Sequence, residues 1–472
     1  MAIKHSHNDQ PTLTLSDDLG TKHFVTRLVE DIKESECPKT FAITGYWGTG
    51  KTSSLASVYK GLTNTAPAGY ECDGNKENTD YVGIWFEAWR YQNEVTPIVA
   101  LLQCIKSHFS STSKFIDSAG KLANISLLGA LSVFDGVIKT ATGLSGLNKI
   151  KDVGEQYEKD NLLNRLASDQ IMDALKQAVD VIVGNNSESQ HRKLVIFIDD
   201  LDRCEPETAY RLLEGLKLYF NIPNCTIVMA IDQQQIERFI AQKMIGSAKQ
   251  HQRFLGVEYL EKLCQDAYRL PVPTPKQRNQ FLISQFDNLY ESNLENNETV
   301  SDDLKYSLAP YDCLPANPRR LKMIANKMAS FYRTVKCDEL GTLKDLGKPD
   351  ASNNELLAYS IFIVSCLSVN YRRLYERLEI NPGFTNELYS FCNGVSDEKY
   401  EIENSVFYEF NKDHRSIGLD KKIEHPSDLS IFRLCPLFNE DEGVLARYDI
   451  PPTILGGIMH QLIYCYNNPI QA

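Results

Sequence analysis

Residues 41–52 read FAITGYWGTGKT, an apolar run that breaks into a glycine-rich loop and closes on Lys51-Thr52. Positions 45–52 satisfy the pattern G-x-x-x-x-G-K-[ST] in full. FAIT (41–44) predicts a strand, and the residues after the loop predict a helix. In that setting the loop curls successive backbone N–H groups inward, and the helix points its positive end at the same place. The pattern therefore predicts a cradle for the phosphates of a nucleotide. The backbone from Gly45 through Trp47, Gly48, Thr49, Gly50, Lys51, Thr52 and Ser53 is expected to line it. Lys51 is expected to reach the β- and γ-phosphates, and the Thr52 hydroxyl to ligate Mg²⁺.

A second half-site is legible in LVIFIDDLDRCEPE (194–207), where an apolar strand ends in paired acids. Asp199 is the expected magnesium carboxylate, and Asp200 the residue that orients or deprotonates the attacking water. Asp202 and Glu205 stand in reserve. A third strand, TIVMAI (226–231), ends at Asp232. That residue is read either as a polar group close to the γ-phosphate or as the N-cap of the next helix. YVGIWFEAW (81–89) adds a strand, and PETAYRLLEGLKLYF (206–220) a helix. Strands rich in β-branched residues that alternate with helices predict an α/β domain built on a buried parallel sheet.

The P-loop core is expected to span residues 1–275, with a largely helical insertion at about 100–190 that includes 161–183. Closely spaced prolines in LPVPTPK (270–276) mark a boundary. A helical lid follows at 276–340, and a mostly helical region of unassigned role at 341–472. Residues 122–138 are apolar but short, and Asp135 interrupts them, so they are expected to pack rather than to span a membrane. Twelve cysteines occur without metal-ligand spacing, which fits reduced thiols in a cytoplasmic protein, with Cys225 a small core residue. A net charge of −12 argues against a broad nucleic-acid surface.

GYWGTGKTS, WFEAWRYQNE, FIDDLDRCEPE, VMAIDQQQI and NPRRLK, in this order, resemble the KAP family of P-loop NTPases over about residues 10–335. The resemblance implies the additional-strand class of P-loop folds, ATP and Mg²⁺ as ligands, and hydrolysis. It also implies a setting in antiphage defence or plasmid exclusion; an arginine just past the acidic strand, at Arg203, leads to the further expectation of a homo-oligomer or a complex with other proteins. Family members often read F-N-A-W after the second strand; here Glu87 replaces the asparagine. Trp89 is read as a core aromatic. Arg203 is read either as an arginine that meets a neighbour's nucleotide or as a surface ion pair with Glu207. Arg319 or Arg320, at the start of the lid helix, is expected to neutralise γ-phosphate charge, with Arg319 preferred. An ATP-driven switch is the reading that results. A nucleotide-binding scaffold with little turnover, a nucleic-acid-stimulated motor and a small-molecule kinase are its competitors.

Overall fold

The structure, a computed structural model, describes residues 11, 13, 19–70, 80–94, 97–110, part of 172–183, 192–245, 252–290, 313–337, 351–393 and 435–468. The chain divides into two compact units. One comprises residues 11–15 and 21–270, and the other residues 1–10, 16–20 and 271–472.

The first unit is built on five strands: β1 (Lys39–Thr44), β2 (Tyr81–Glu87), β3 (Lys193–Asp199), β4 (Cys225–Ile231) and β5 (Asp266–Arg269). They pair in the order β2-β3-β4-β1-β5, all parallel. Between them run α1 (Thr21–Glu34), α2 (Lys51–Thr63), α3 (Pro97–Ser110), α4 (Pro206–Tyr219), α5 (Gln233–Ile245) and α6 (Gln252–Leu263). Parallel neighbours need such crossover connections. β4 lies between the strand that feeds the glycine-rich loop and the strand that ends in the acids, as the additional-strand class requires. The four strands legible in the sequence are therefore present, and β5 was not foreseen.

Period-two alternation divides the sheet into two apolar faces. Phe41, Ile43, Val195, Phe197, Val228 and Ala230 pack with Leu28 and Ile32 of α1 and Leu55, Val58 and Tyr59 of α2. Ile84, Phe86, Leu194, Ile196, Ile198 and Met229 pack on the opposite face with Leu101, Leu212, Leu216 and Ile236. Leu175, Val179 and Val183, helical residues at four-residue spacing within the insertion, join that second face. The rest of the insertion, including 122–138, lies outside the described residues. Cys225 is buried, as expected. Gly83 lets Tyr59 lie against β2: a Cβ there would come within 2.6 Å of the ring, whose hydroxyl donates to the Gly83 carbonyl at 3.3 Å.

The second unit is helical: α7 (Pro275–Tyr290), α8 (Pro318–Cys337), α9 (Ala351–Asn370), α10 (Arg372–Ile380), α11 (Phe384–Cys392), α12 (Val444–Tyr448) and α13 (Pro452–Asn467). α9 is apolar all round, and Tyr359, Ile361, Phe362, Ile363, Val364 and Leu367 are buried on it. Such a helix belongs at the centre of a bundle. Residues from α7, α8, α9, α10, α11 and α13 share one core with it. No described helix is long and apolar enough to cross a membrane.

Candidate functional site

β1 delivers the chain into the loop at Gly45, whose N–H donates to the Ile231 carbonyl at the end of β4 over 3.3 Å. Gly48 (φ 83°) and Gly50 (φ 95°) adopt the left-handed conformation that glycine tolerates. A Cβ at Gly50 would meet nothing within 4 Å, so the loop is open there, whereas one at Gly45 would come within 2.7 Å of Thr49 Oγ1. Thr49 Oγ1 donates to the Tyr46 carbonyl at 2.6 Å and braces the turn. Tyr46 is itself braced: its hydroxyl accepts from Gln234 Nε2 at 3.3 Å, and the Arg269 guanidinium lies 6.0 Å from its ring. α2 begins at Lys51 behind Gly50, which has no side chain with which to cap it. The first-turn N–H groups of a helix have no partner within the helix, and here the open side of the loop faces them. Trp47 is 54% exposed at the rim.

The acids converge on this loop. Thr52 Oγ1 donates to Asp199 Oδ1 at 3.1 Å. Lys51 Nζ lies 3.1 Å from Asp202 Oδ2 and donates to the Tyr46 carbonyl at 3.3 Å. Both members of that ion pair are buried. Asp202, held in reserve on the sequence, is thus the partner of the P-loop lysine. Asp200 takes a left-handed conformation (φ 57°) ahead of a 3₁₀ turn at Leu201–Arg203. Its Oδ1 lies 3.0 Å from Arg203 Nε.

Burial, then the adjacent Asp200 charge, pushes the Asp199 carboxyl up to about 7 against the pull of the Thr52 hydrogen bond. Burial also raises Asp200, and Arg203 opposes the rise. Tyr70 was not singled out on the sequence, where it falls in a polar, turn-rich loop. Burial and the charges of Asp199, Glu87 and Asp200 hold its phenol above the ordinary range, and its ring meets Trp85 edge-on at 5.9 Å.

Several expectations need correction. Trp89 is not a core aromatic: it is 46% exposed, and the Arg203 guanidinium lies 6.0 Å from its ring. Arg203 does not pair with Glu207, which binds Arg211 at 3.0 Å one helical turn on. Helix α4 starts only at Pro206, so Arg203 sits outside the register that would bring it to Glu207 and turns back to Asp200 instead. Asp232 realises its capping reading, since its Oδ1 accepts from the Gln235 N–H at 3.3 Å. Arg319 and Arg320 begin α8 in the helical unit. Asn317 Oδ1 caps the Arg320 N–H at 3.2 Å, and Arg320 Nη1 donates to the Val369 carbonyl at 3.0 Å.

An open cradle of left-handed glycines and a hydroxyl–carboxylate pair fit a magnesium–triphosphate complex. Mg²⁺ is commonly held by one or two protein ligands together with substrate phosphates and water. Among the described residues no cluster of three or more His, Cys, Asp or Glu is arranged to hold a metal by itself. Thr52 and Asp199, in contact beside the loop, are the residues that would hold the ion together with a nucleotide.

Comparison with known proteins agrees with this geometry. The chain is 23% identical to the uncharacterized protein MJ0182 of Methanocaldococcus jannaschii, in an alignment that covers 31% of this chain and 88% of that protein. The KAP family P-loop domain matches residues 21–335, well over half of the chain. The match takes in the glycine-rich loop, the acidic strand end and the Asn317-Pro318 turn, and with them the chain belongs to the KAP family of P-loop NTPases.

Proposed function

We propose that this nucleotide-binding NTPase is a magnesium-dependent ATPase whose hydrolytic cycle drives a conformational switch or the assembly of partners. The 3.1 Å contact between Thr52 Oγ1 and Asp199 Oδ1 carries the proposal. It brings the last residue of the phosphate loop to the tip of the acidic strand, which is the arrangement that a phosphate-bound divalent cation needs. When bound, the cation supplies charge neutralisation on the β- and γ-phosphate oxygens. Lys51 exchanges the Asp202 carboxylate and the Tyr46 carbonyl for phosphate oxygens. Asp200, fixed by Arg203, orients the attacking water. On the family resemblance, Arg319 is the candidate for neutralising γ-phosphate charge.

ATP as the base-specific ligand, and a setting in antiphage defence or plasmid exclusion, follow from the family resemblance. The test is phosphate release by purified protein with ATP, with and without Mg²⁺. Turnover that stops on chelation of Mg²⁺ and returns on its addition is the expected result. Turnover indifferent to Mg²⁺ would remove Thr52 and Asp199 from the proposed roles.

A further inference from the structure

Glu87 stands where the family resemblance expects an asparagine, and the sheet gives it a defined neighbour. In the β2–β3 register, Glu87 is the Cα partner of Asp199. Adjacent strands lie about 4.8 Å apart, and in-register residues of a parallel pair project from the same face. The side chains two residues earlier identify that face. Trp85 stacks on Phe197 at 6.4 Å, and Tyr59 of α2 touches both rings, at 6.2 and 5.0 Å. Glu87 and Asp199 thus terminate neighbouring strands on the side covered by α2, the helix whose Thr52 binds Asp199.

The surroundings of Glu87 hold it in place without consuming it. Trp85 Nε1 donates to its Oε1 at 3.4 Å, and its Oε2 pairs with Arg90. The Arg90 side chain is 69% exposed, and an ion pair of that kind is weakly held in water. The other acids beside the loop have partners of their own: Asp199 binds Thr52, Asp202 pairs with buried Lys51, and Asp200 pairs with Arg203.

We infer that Glu87 is a catalytic residue, the carboxylate that receives the proton of the water attacking the γ-phosphate. The inference rests on the hydrolytic reading above and deepens it. Asp200 orients the water from one side of the Asp199 position, and Glu87 accepts its proton from the neighbouring strand. In the step, the water oxygen bonds to the γ-phosphorus and the bond to the β,γ-bridging oxygen breaks. The electron pair leaves with the nucleoside diphosphate. One water proton passes to Glu87, which returns it to solvent after phosphate departs. A side chain in this role contributes on the order of 10²–10⁴-fold to the rate.

The test compares Glu87→Gln with wild type in three measurements: equilibrium binding of a fluorescent ATP analogue with Mg²⁺, thermal unfolding, and phosphate release at saturating ATP. The expected variant melts like wild type and binds the analogue within about twofold, yet its kcat falls at least about a hundredfold. ATP recovered from its complex remains unhydrolysed. Glu87→Asp, which keeps the carboxylate on a shorter arm, recovers part of the rate. A folded Glu87→Gln protein with wild-type kcat overturns the inference while leaving the hydrolytic reading intact. Parallel loss of binding and melting temperature also overturns it, because the residue would then be structural. Wild-type protein that releases no phosphate removes the hydrolytic reading, and this inference with it.

Discussion

Replacing Asp199 by asparagine should stabilise the nucleotide-free protein, and by an amount that depends on pH. Asp199 is 3% exposed and has Asp200 beside it in the chain, so burial first and Asp200 second push its carboxyl from 3.8 to about 7. The folded chain binds this proton more tightly than the unfolded chain does. Stability attributable to the group therefore falls as pH rises from about 4 to about 7, and stays low above that. The interval corresponds to roughly 4 kcal/mol at pH 8 and to almost nothing at pH 4. Asparagine keeps an oxygen for Thr52 and has no charge to bury. Asp199→Asn should thus gain roughly 4 kcal/mol over wild type at pH 8, equivalent to a melting shift on the order of 10 °C, and almost nothing at pH 4. All three tryptophans, Trp47, Trp85 and Trp89, lie in the α/β unit, so urea titrations followed by indole fluorescence report on the unit that contains the substitution. A difference between variant and wild type that is the same at both pH values would refute the reasoning, because it would mean that Asp199 is not held as a buried, like-charged carboxylate. The same substitution should abolish magnesium-dependent turnover, so that stability and function move in opposite directions.

Breaking the buried Lys51–Asp202 pair by Lys51→Ala should cost about 3–5 kcal/mol, since a carboxylate is left without its partner; the double substitution Lys51→Met with Asp202→Leu should regain most of that in the same urea titration. Arg203→Ala should lower turnover roughly ten- to a hundredfold by releasing Asp200, equally at every protein concentration, while nucleotide affinity stays at the wild-type value. A loss that varies with concentration would instead assign Arg203 to a neighbouring subunit's site. Phe362→Ala, in the fully buried centre of α9, should destabilise the helical unit by about 3–5 kcal/mol, read by calorimetry, and leave the indole-monitored transition of the α/β unit unchanged.

The parts of the fold that were legible in the sequence are those where composition alone forces a structure. β3 and β4, and the end of β1, are buried and read as short apolar runs rich in β-branched residues and bounded by polar ones, which fits interior strands of a parallel sheet. β5, Asp-Ala-Tyr-Arg, is a four-residue edge strand with alternating exposure and has no such signature. Within the region expected to be mostly helical, α9 ends at Asn370 and α10 begins at Arg372, with neither proline nor glycine to mark the break. In the site, the loop glycines, Lys51, Thr52 and Asp199, which the structure brings together, stand out in the sequence because their pattern depends on local spacing. Long-range placement does not. That Asp202 neutralises Lys51, that Tyr70 sits in the field of three carboxylates, and that Glu87 pairs in register with Asp199 all depend on how distant segments meet in the fold. Trp89 was misread because residue type does not fix direction: the 3₁₀ turn at Ala88–Tyr91 buries Ala88 and leaves the indole outside.

The central claim, that the loop at 45–52 binds a nucleoside triphosphate for hydrolysis against the acids of β3, is tested most directly by a paired measurement on purified wild type and Lys51→Ala. Binding of ATP with Mg²⁺ is followed by calorimetry, and phosphate release is measured under the same conditions. The account predicts saturable binding and turnover by wild type, with both lost or severely weakened in Lys51→Ala, provided that the variant is shown by its fluorescence transition to be folded. A folded Lys51→Ala protein that binds and hydrolyses ATP as wild type does would contradict it.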